Sequence, residues 1–370
     1  MTEKFKQQTL VNLVGFRLVL AMGLSGSIMI ASSGLAQPAD SIGVAARPPK
    51  NSVIITVGVG TRPMGIVVSP NNKTVFVANS GSNSVSVLDA SNNYTVKATV
   101  SVGANPGYLA ISPDGKTLYV SCNGSPGSVY AIDTTQSDYP VKATLTAGDT
   151  PAGMAVTPNG KKLYVANEGN QSTGIAGTVS VFDTSNGTLK TTLQPEGAPF
   201  LVVFTEQGTQ ADLLNTAGTS YLQFINTVSS KVSRSTGGGE AVFLATGMTS
   251  DPSGSTLYIT TTENYLTLCN AKTGKVTKQI LVSPSIAAGN QLGEPAVTPD
   301  GRYVYVPYNY NAADELLNQV GMFDIATGKI VGSPVAVGSY PFWAQMAPNG
   351  ETLYVANQFD GTVTVIDTRP

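Results

Sequence analysis

The chain has 370 residues, 41% hydrophobic and only 12% charged, with 39 Gly, 22 Pro and no His. Without histidine, Ser-His-Asp and Cys-His catalysis, His-built zinc sites, His proton relays and Cys-x-x-Cys-His haem attachment are excluded. Low charge with abundant Gly and Pro suits many short strands and tight turns, and β-rich folds of this length often form one domain.

Residues 1–36 read as a secretory signal. Lys4, Lys6 and Arg17 precede an apolar run, Leu18 to Ala31, and Gly34 and Ala36 then supply the small residues of a cleavage site. An uncleaved anchor is the alternative, and the lack of a nearby Cys argues against a lipoprotein. Cleavage removes Glu3 and the three bases, leaving 18 basic and 22 acidic residues, net −4. Such a chain is a poor general polyanion binder. The expected location is periplasmic or secreted, with no membrane span after cleavage. Residues 37–50 read as a flexible linker and 51–370 as the folded domain, expected to be a monomer.

From residue 51 onward one pattern recurs: a strand ending in Ser/Thr-Pro, a turn, a strand such as Leu-Tyr-Val-Ala-Asn, a gap, then Val-x-Val-x-Asp. The turns begin at Pro70, Pro113, Pro158, Glu206, Pro252, Pro299 and Pro348, spaced by 43, 45, 48, 46, 47 and 49 residues. Seven units near this length match four-stranded propeller blades. Leu118, Val120 and Val129, Ala131 show the period-two alternation of strands, and Asp-Gly or Asn-Gly supplies tight hairpins. Each blade should run from inner strand a to outer strand d. The a–b hairpins and c–d turns then share one face (the hairpin face), and the b–c and d–a loops share the other (the loop face). The last unit ends at Thr362–Asp367, a third strand without a fourth, while Ser52–Val57 has no blade of its own. The prediction is an all-β, seven-bladed β-propeller of four-stranded blades, closed by the N-terminal strand completing the last blade.

Tyr164-Val165-Ala166-Asn167 and Tyr354-Val355-Ala356-Asn357, each following Pro-Asn-Gly, resemble the repeat that names the YVTN family. That family includes YncE-like periplasmic proteins and is similar to surface-layer propellers. The resemblance covers essentially residues 51–370. It implies an exported seven-bladed propeller and no single shared chemistry, because function on such scaffolds sits in the loops.

Residues repeated in most blades read as structural. Asp89, Asp133, Asp183, Asp324 and Asp367, with Asn226 and Asn270 in the other two units, should cap the c–d turns. The strand-b aromatics Phe76, Tyr119, Tyr164, Tyr258, Tyr305 and Tyr354 should pack between blades. Cys122 and Cys269 fall in blades 2 and 5, too far apart to bond, so free thiols are expected.

Departures from the repeat are the functional candidates. In blade 4 Asp212 takes the aromatic position, read as a drifted repeat. The b–c loops lengthen through Glu168–Gly177 in blade 3 and through Tyr308–Gln319 in blade 6. Asp149, Glu168, Glu196, Glu240, Glu263, Glu294, Asp314, Glu315 and Asp360 map to the loop face or inner-strand starts, against Arg62 as the one base. That face should attract cations. The candidate ligand-binding set is Arg62 to anchor an anionic group, Glu168 and Glu294 for a cation, and Tyr308, Tyr310 and Trp343 as a stacking or apolar surface.

The reading is a noncatalytic binding propeller for a protein or small cationic ligand, with no catalytic residue and no cofactor assigned. A lactonase-like or metal-dependent enzyme using carboxylates is the alternative; oxygen-rich loops could ligate Ca²⁺ without histidine. YncE-like nucleic-acid binding is a second alternative, disfavoured by net negative charge and a single loop-face arginine.

Overall fold

In this computed structural model the described residues are 48–170, 172–216, 222–236, 245–282, 292–310 and 316–370, with backbone alone for 236, 309, 310 and 316. The signal, linker residues 37–47, Glu240, Asp314, Glu315 and the side chain of Tyr310 lie outside that description. A first strand, β1 (Ser52–Gly58), precedes the blades. Blade 1 is β2 (Pro63–Val68), β3 (Thr74–Asn79), β4 (Ser84–Asp89) and β5 (Thr95–Ser101). Blade 2 is β6 (Pro106–Ile111), β7 (Thr117–Cys122), β8 (Ser128–Asp133) and β9 (Val141–Thr146). Blade 3 is β10 (Pro151–Val156), β11 (Lys162–Asn167), β12 (Thr178–Asp183) and β13 (Leu189–Leu193). Blade 4 is β14 (Pro199–Thr205), β15 (Gln210–Asn215), β16 (Leu222–Asn226) and β17 (Lys231–Thr236). Blade 5 is β18 (Ala245–Ser250), β19 (Thr256–Thr261), β20 (Tyr265–Asn270) and β21 (Val276–Leu281). Blade 6 is β22 (Ala296–Val297), β23 (Tyr303–Tyr310) and β24 (Leu316–Asp324), with its outer strand split into β25 (Lys329–Ile330) and β26 (Val335–Ala336). Blade 7 is β27 (Pro341–Met346), β28 (Thr352–Asn357) and β29 (Thr362–Asp367).

These strands form seven antiparallel sheets, and the last has the order β1-β29-β28-β27. Strand β1 pairs with β29 from Ser52↔Asp367 to Gly58↔Thr362, so the N-terminal strand closes the ring as predicted. Closure covers the backbone edge that β29 would otherwise expose.

Burial follows each strand's place in its blade. β3 and β4 are buried along nearly their whole length, whereas the outer β5 is mostly exposed. Inner and middle strands are covered on both sides by neighbouring blades, hence their continuous apolar runs rather than strict alternation. The core is a set of inter-blade layers: Phe76, Val85 and Val87 of blade 1 pack with Leu109, Leu118 and Val120 of blade 2. Likewise Tyr164 and Val181 of blade 3 pack with Val202 and Leu213 of blade 4. The strand-b aromatics occupy these layers, with Phe76, Tyr164, Tyr305 and Tyr354 among the largest fully buried side chains.

Turn chemistry repeats as the sequence implies. The third residue of every a–b turn has positive φ: Asn72, Gly115, Gly160, Gly208, Gly254, Gly301 and Gly350. The carboxylate of Asp89 accepts from the Ser91 N–H at 3.0 Å and its hydroxyl at 2.6 Å, and Asp133 and Asp183 hold Thr135 and Ser185 in the same way. Cys122 and Cys269 are free and buried, and burial pushes both thiols up to about 12.

Two segments depart from expectation. In blade 6 the stretch Tyr308–Gln319 is not simply a long loop. β23 and β24 extend into it, pairing Tyr308 with Gln319 and Tyr310 with Leu316. Backbone pairing across the two chain segments outweighs the Asn-rich, loop-like composition. In blade 4 Asp212 is fully buried, with Oδ2 accepting from Thr205 Oγ1 at 2.5 Å and Oδ1 from Gln210 Nε2 at 2.6 Å. The same Gln210 nitrogen donates to the Ala271 carbonyl of blade 5 at 3.0 Å, so a polar relay replaces the aromatic contact. Burial pushes Asp212 up to about 7, against the pull of the Thr205 and Gln210 hydrogen bonds. Among the described residues no helix is long and apolar enough to cross a membrane.

Candidate functional site

The seven inner strands can be aligned by what each pairs with on strand b. Pro63↔Asn79, Pro106↔Cys122, Pro151↔Asn167, Pro199↔Asn215, Ala245↔Thr261, Leu292↔Tyr308 and Pro341↔Asn357 are equivalent pairs. Two residues further along, the chain places Gly65, Tyr108, Gly153, Leu201, Gly247, Glu294 and Trp343 at one level around the axis. Three of the seven are glycine for a packing reason. A Cβ on Gly65 would lie 2.7 Å from the Gly107 carbonyl oxygen, on Gly153 2.8 Å from Leu201 Cδ2, and on Gly247 2.6 Å from Glu294 Oε2. Glycine here lets the next blade's inner strand approach. The side chains at this level are therefore Tyr108, Leu201, Glu294 and Trp343.

Those side chains converge. The Tyr108 ring meets Trp343 edge-on with centroids 5.6 Å apart, and meets Phe200 edge-on at 5.7 Å. The layer thus joins blades 2, 4 and 7, and Leu201 and Met248 pack with it. The indole N–H of Trp343 is shut from solvent without an acceptor among the described residues.

Glu294 is held from both sides. Its N–H donates to the Phe342 carbonyl at 2.8 Å, and its carbonyl accepts from the Ala344 N–H at 3.2 Å. Its side chain is 7% exposed, with Oε2 accepting from the Met248 N–H at 3.1 Å. Burial pushes this carboxyl well above its ordinary value, and that one hydrogen bond only partly opposes it. Glu168, half-buried where the b–c loop of blade 3 begins, is also pushed up by burial. Tyr108 is pushed up mainly by burial and then by the charges of Glu168 and Glu294, so both carboxyls bear on its ring.

Below this layer lies a cavity of about 740 Å³, walled by Met154, Leu201, Met248, Glu294, Trp343 and Met346 and reaching the a–b turns at Pro158, Pro252, Pro299 and Pro348. It therefore runs towards the hairpin face. Glu294 and Trp343, expected near the loop-face mouth, line this cavity: Trp343 sits two residues into β27, and Glu294, just before β22, is bridged to it.

The other candidates are spread out. Arg62 is exposed on the loop before β2, and its carbonyl accepts from the N–H and hydroxyl of Ser80 at 3.0 and 2.9 Å. Tyr308 is 3% exposed and packs with Tyr258, Leu266 and Phe323 between blades 5 and 6, where burial pushes its phenol up to about 12. Tyr310 is placed by its backbone alone, opposite Leu316. The structure thus gathers Glu294 and Trp343, with Glu168 bearing on the same tyrosine, and leaves Arg62 and Tyr308 apart. Tyr108 was missed in the sequence. Its signal was available: aligned on the inner-strand Pro, it is the one Tyr at a position that is Gly in three blades.

On the loop face, Asp149, Glu168, Glu196, Glu263 and Asp360 are exposed or half-buried, and Arg62 is the one base there among the described residues. Beside Asp360, Phe359 is 60% exposed and stacks on Tyr340 with centroids 4.4 Å apart and planes 18° off parallel. Among the described residues no three Cys, Asp or Glu side chains gather in a way that could hold a metal ion.

The architecture defines the class: a seven-bladed β-propeller with a plugged axis, an acidic loop face and a cavity towards the hairpins. The family described as Lactonase, 7-bladed beta-propeller matches residues 88–198, from the end of β4 to the residue before β14. A search of curated protein sequences finds no match. Among solved structures, Kuenenia stuttgartiensis hydrazine synthase superposes with a TM-score of 0.70 at 23% identity, covering 84% of this chain and 98% of that one. That likeness is one of fold alone.

Proposed function

We propose that this chain is an exported, noncatalytic binding propeller whose loop face receives a cationic partner. The charge asymmetry of that face carries the reading: five acids against Arg62 among the described residues. Like charge gathered on one rim raises the local concentration of cations and steers their approach. The exposed Phe359–Tyr340 stack beside Asp360 adds a surface on which lysine or arginine side chains pack favourably. The YVTN-type repeats and the N-terminal signal pattern support export. The test is fluorescence anisotropy with a Lys/Arg-rich peptide and an acidic peptide of equal length. The basic peptide should bind, weaken with added salt, and be lost in a variant carrying Asp149→Lys, Glu196→Lys and Glu263→Lys. Equal binding of the acidic peptide, or affinity unmoved by salt and by the triple change, sinks the idea.

A hydrolytic reading has its own support: the partial lactonase-family match and two burial-shifted carboxyls bearing on Tyr108. A carboxyl kept protonated near neutral pH is a competent general acid, and its partner a base. Ring opening of simple lactones, followed by pH-stat, decides it. Turnover no faster than buffer, unaltered by Glu294→Gln and Glu168→Gln, removes this reading.

A further inference from the structure

We infer that the axial cavity is a binding site for a small organic ammonium ion, its charged head against the Glu294 carboxylate and the Tyr108–Trp343 layer and its apolar body along the methionine wall. The inference does not depend on the loop-face reading, since the cavity lies on the other side of the aromatic layer and is built from different residues.

The lining itself selects the charge. Its charged residues are Glu294 in the depth and Asp251 near the rim, and no Lys or Arg lines it. An anion entering would meet two acids and no base. Asp251 is already engaged: it accepts from the Ser255 and Thr256 N–H groups and from the Ser253 and Ser255 hydroxyls. Against the upward push of burial, those hydrogen bonds hold it below its ordinary value, so it stays ionised. Glu294 is different. Met248 occupies Oε2, and Oε1 has no hydrogen-bond partner among the described residues. A nine-tenths-buried carboxyl lining a cavity, with one oxygen unengaged, is a built acceptor.

The lining also selects against metal ions. A hard cation such as Ca²⁺ needs six to eight oxygen ligands, whereas among the described residues no three Cys, Asp or Glu side chains gather, and Glu294 shares its end of the cavity with Met248, Tyr108 and Trp343. An organic cation satisfies both halves. Its charge pairs with Glu294, its C–H and N–H surface lies on aromatic rings, and its carbon body covers methionine, which adapts to irregular shapes. A volume of about 740 Å³ admits an amine of drug size.

The pairing has a proton signature. Burial raises the Glu294 carboxyl well above its ordinary value, and an ammonium ion that pairs with it pulls that value back down, so binding is linked to proton release. Glu168 bears on Tyr108 but lies outside the cavity lining; the titratable groups within the cavity besides Glu294 are Tyr108 from β6 and Asp251 after β18, and β10, β14, β22 and β27 present none to it. Tyr108 is pushed up and stays protonated, and Asp251 stays ionised, so neither supplies the proton.

The experiment is titration calorimetry of the full chain with benzylamine, benzyl alcohol and benzoate at pH 6.5, in two buffers of different ionisation heat. Benzylamine should bind with Kd on the order of 1 mM or tighter, at least about tenfold better than the alcohol, with benzoate silent. The two buffers should report proton release on amine binding, not uptake. Glu294→Gln should cost about tenfold or more, and the triple loop-face charge reversal should leave the amine titration unchanged. Equal affinity for amine and alcohol, proton uptake on binding, or no benzylamine binding up to about 10 mM overturns the site. The three-ligand series and the direction of proton exchange are read on the parent chain, so they decide the question even if the Gln variant misfolds. A loop-face reading that fails while amine binding persists, or the reverse, separates the two proposals.

Discussion

The two faces of this ring are made of the same repeat and differ in what the repeat leaves free. On the hairpin side, turn positions are committed: Asp89, Asp133 and Asp183 spend their oxygens on turn N–H and hydroxyl groups, and Asp251 does the same in its a–b turn. Interspersed lysines such as Lys116 and Lys190 pair with Asp114 and Asp183. On the loop side, Asp149 and Glu263 make no side-chain hydrogen bond or ion pair among the described residues, and Arg62 is the one base among them. The lesson is that carboxylate number says little until their hydrogen bonds are counted. A capped turn consumes an acid, while a loop leaves it to set a field.

The bluntest way to break the comparison removes both faces together. Deleting residues 51–58 takes away β1 and exposes the whole edge of β29. The apparent Tm should fall by about 10 °C or more, with aggregation, read by circular dichroism and light scattering. Retention of the parent Tm would mean that closure by β1 contributes nothing.

Gly247→Val separates the faces. Its Cβ would stand 2.6 Å from Glu294 Oε2 and 2.8 Å from both Glu294 Cα and Thr260 Oγ1. Because one of those neighbours is backbone, the strand must shift. Urea unfolding should show a loss of about 3 kcal/mol, and amine binding in the cavity should vanish while basic-peptide binding at the loops persists. A neutral outcome would contradict the close inter-blade approach at this level.

Asp212→Asn tests the polar relay of blade 4 through pH. Burial raises the folded-state value of Asp212 from 3.8 to about 7, so the folded ring holds the proton more tightly than the unfolded chain. Its contribution to stability is therefore present below about pH 4, is lost as pH rises towards about 7, and stays lost above. The Asn variant should be more stable than the parent at pH 8, by about 2 kcal/mol, and should lose much of the decline between pH 4 and 7. Glu168 and Glu294, raised by the same cause, leave a residual slope of the same sign. Parallel pH profiles for parent and variant would refute the assignment.

Smallest in stability, and sharpest for the comparison, is the triple reversal at Asp149, Glu196 and Glu263. Exposed or half-buried loop charges should move unfolding by no more than about 0.5 kcal/mol while removing the salt-dependent attraction of basic ligands. A large destabilisation would show that these acids are structural after all.

Much of the scaffold was legible because each unit carries its own punctuation. Pro-Asn-Gly and Pro-Asp-Gly turns, Val-x-Val-x-Asp strands and the spare Ser52–Val57 segment specify blade number, strand order and closure through local propensity and period. The site was less legible, and Tyr308 and Glu294 show why. Both read as loop-proximal in a linear alignment, but the pairing that extends β23 to Tyr310 buries Tyr308 between blades, and the bridge to Trp343 sets Glu294 against the next blade.

By itself, then, the sequence determined a seven-fold repeat and a surplus of acid on the loops, because each is counted along the chain. It determined closure because one strand is spare at the start and one is missing at the end, although the pairing joins Ser52 to Asp367. Tertiary structure alone decided that Tyr108, Phe200 and Trp343 meet on the axis, that Gly247 yields room to Glu294, and that a cavity opens below them. Those contacts join blades separated by up to 235 residues, from Tyr108 to Trp343, and they exist only because closing the ring brings seven inner strands to a common axis.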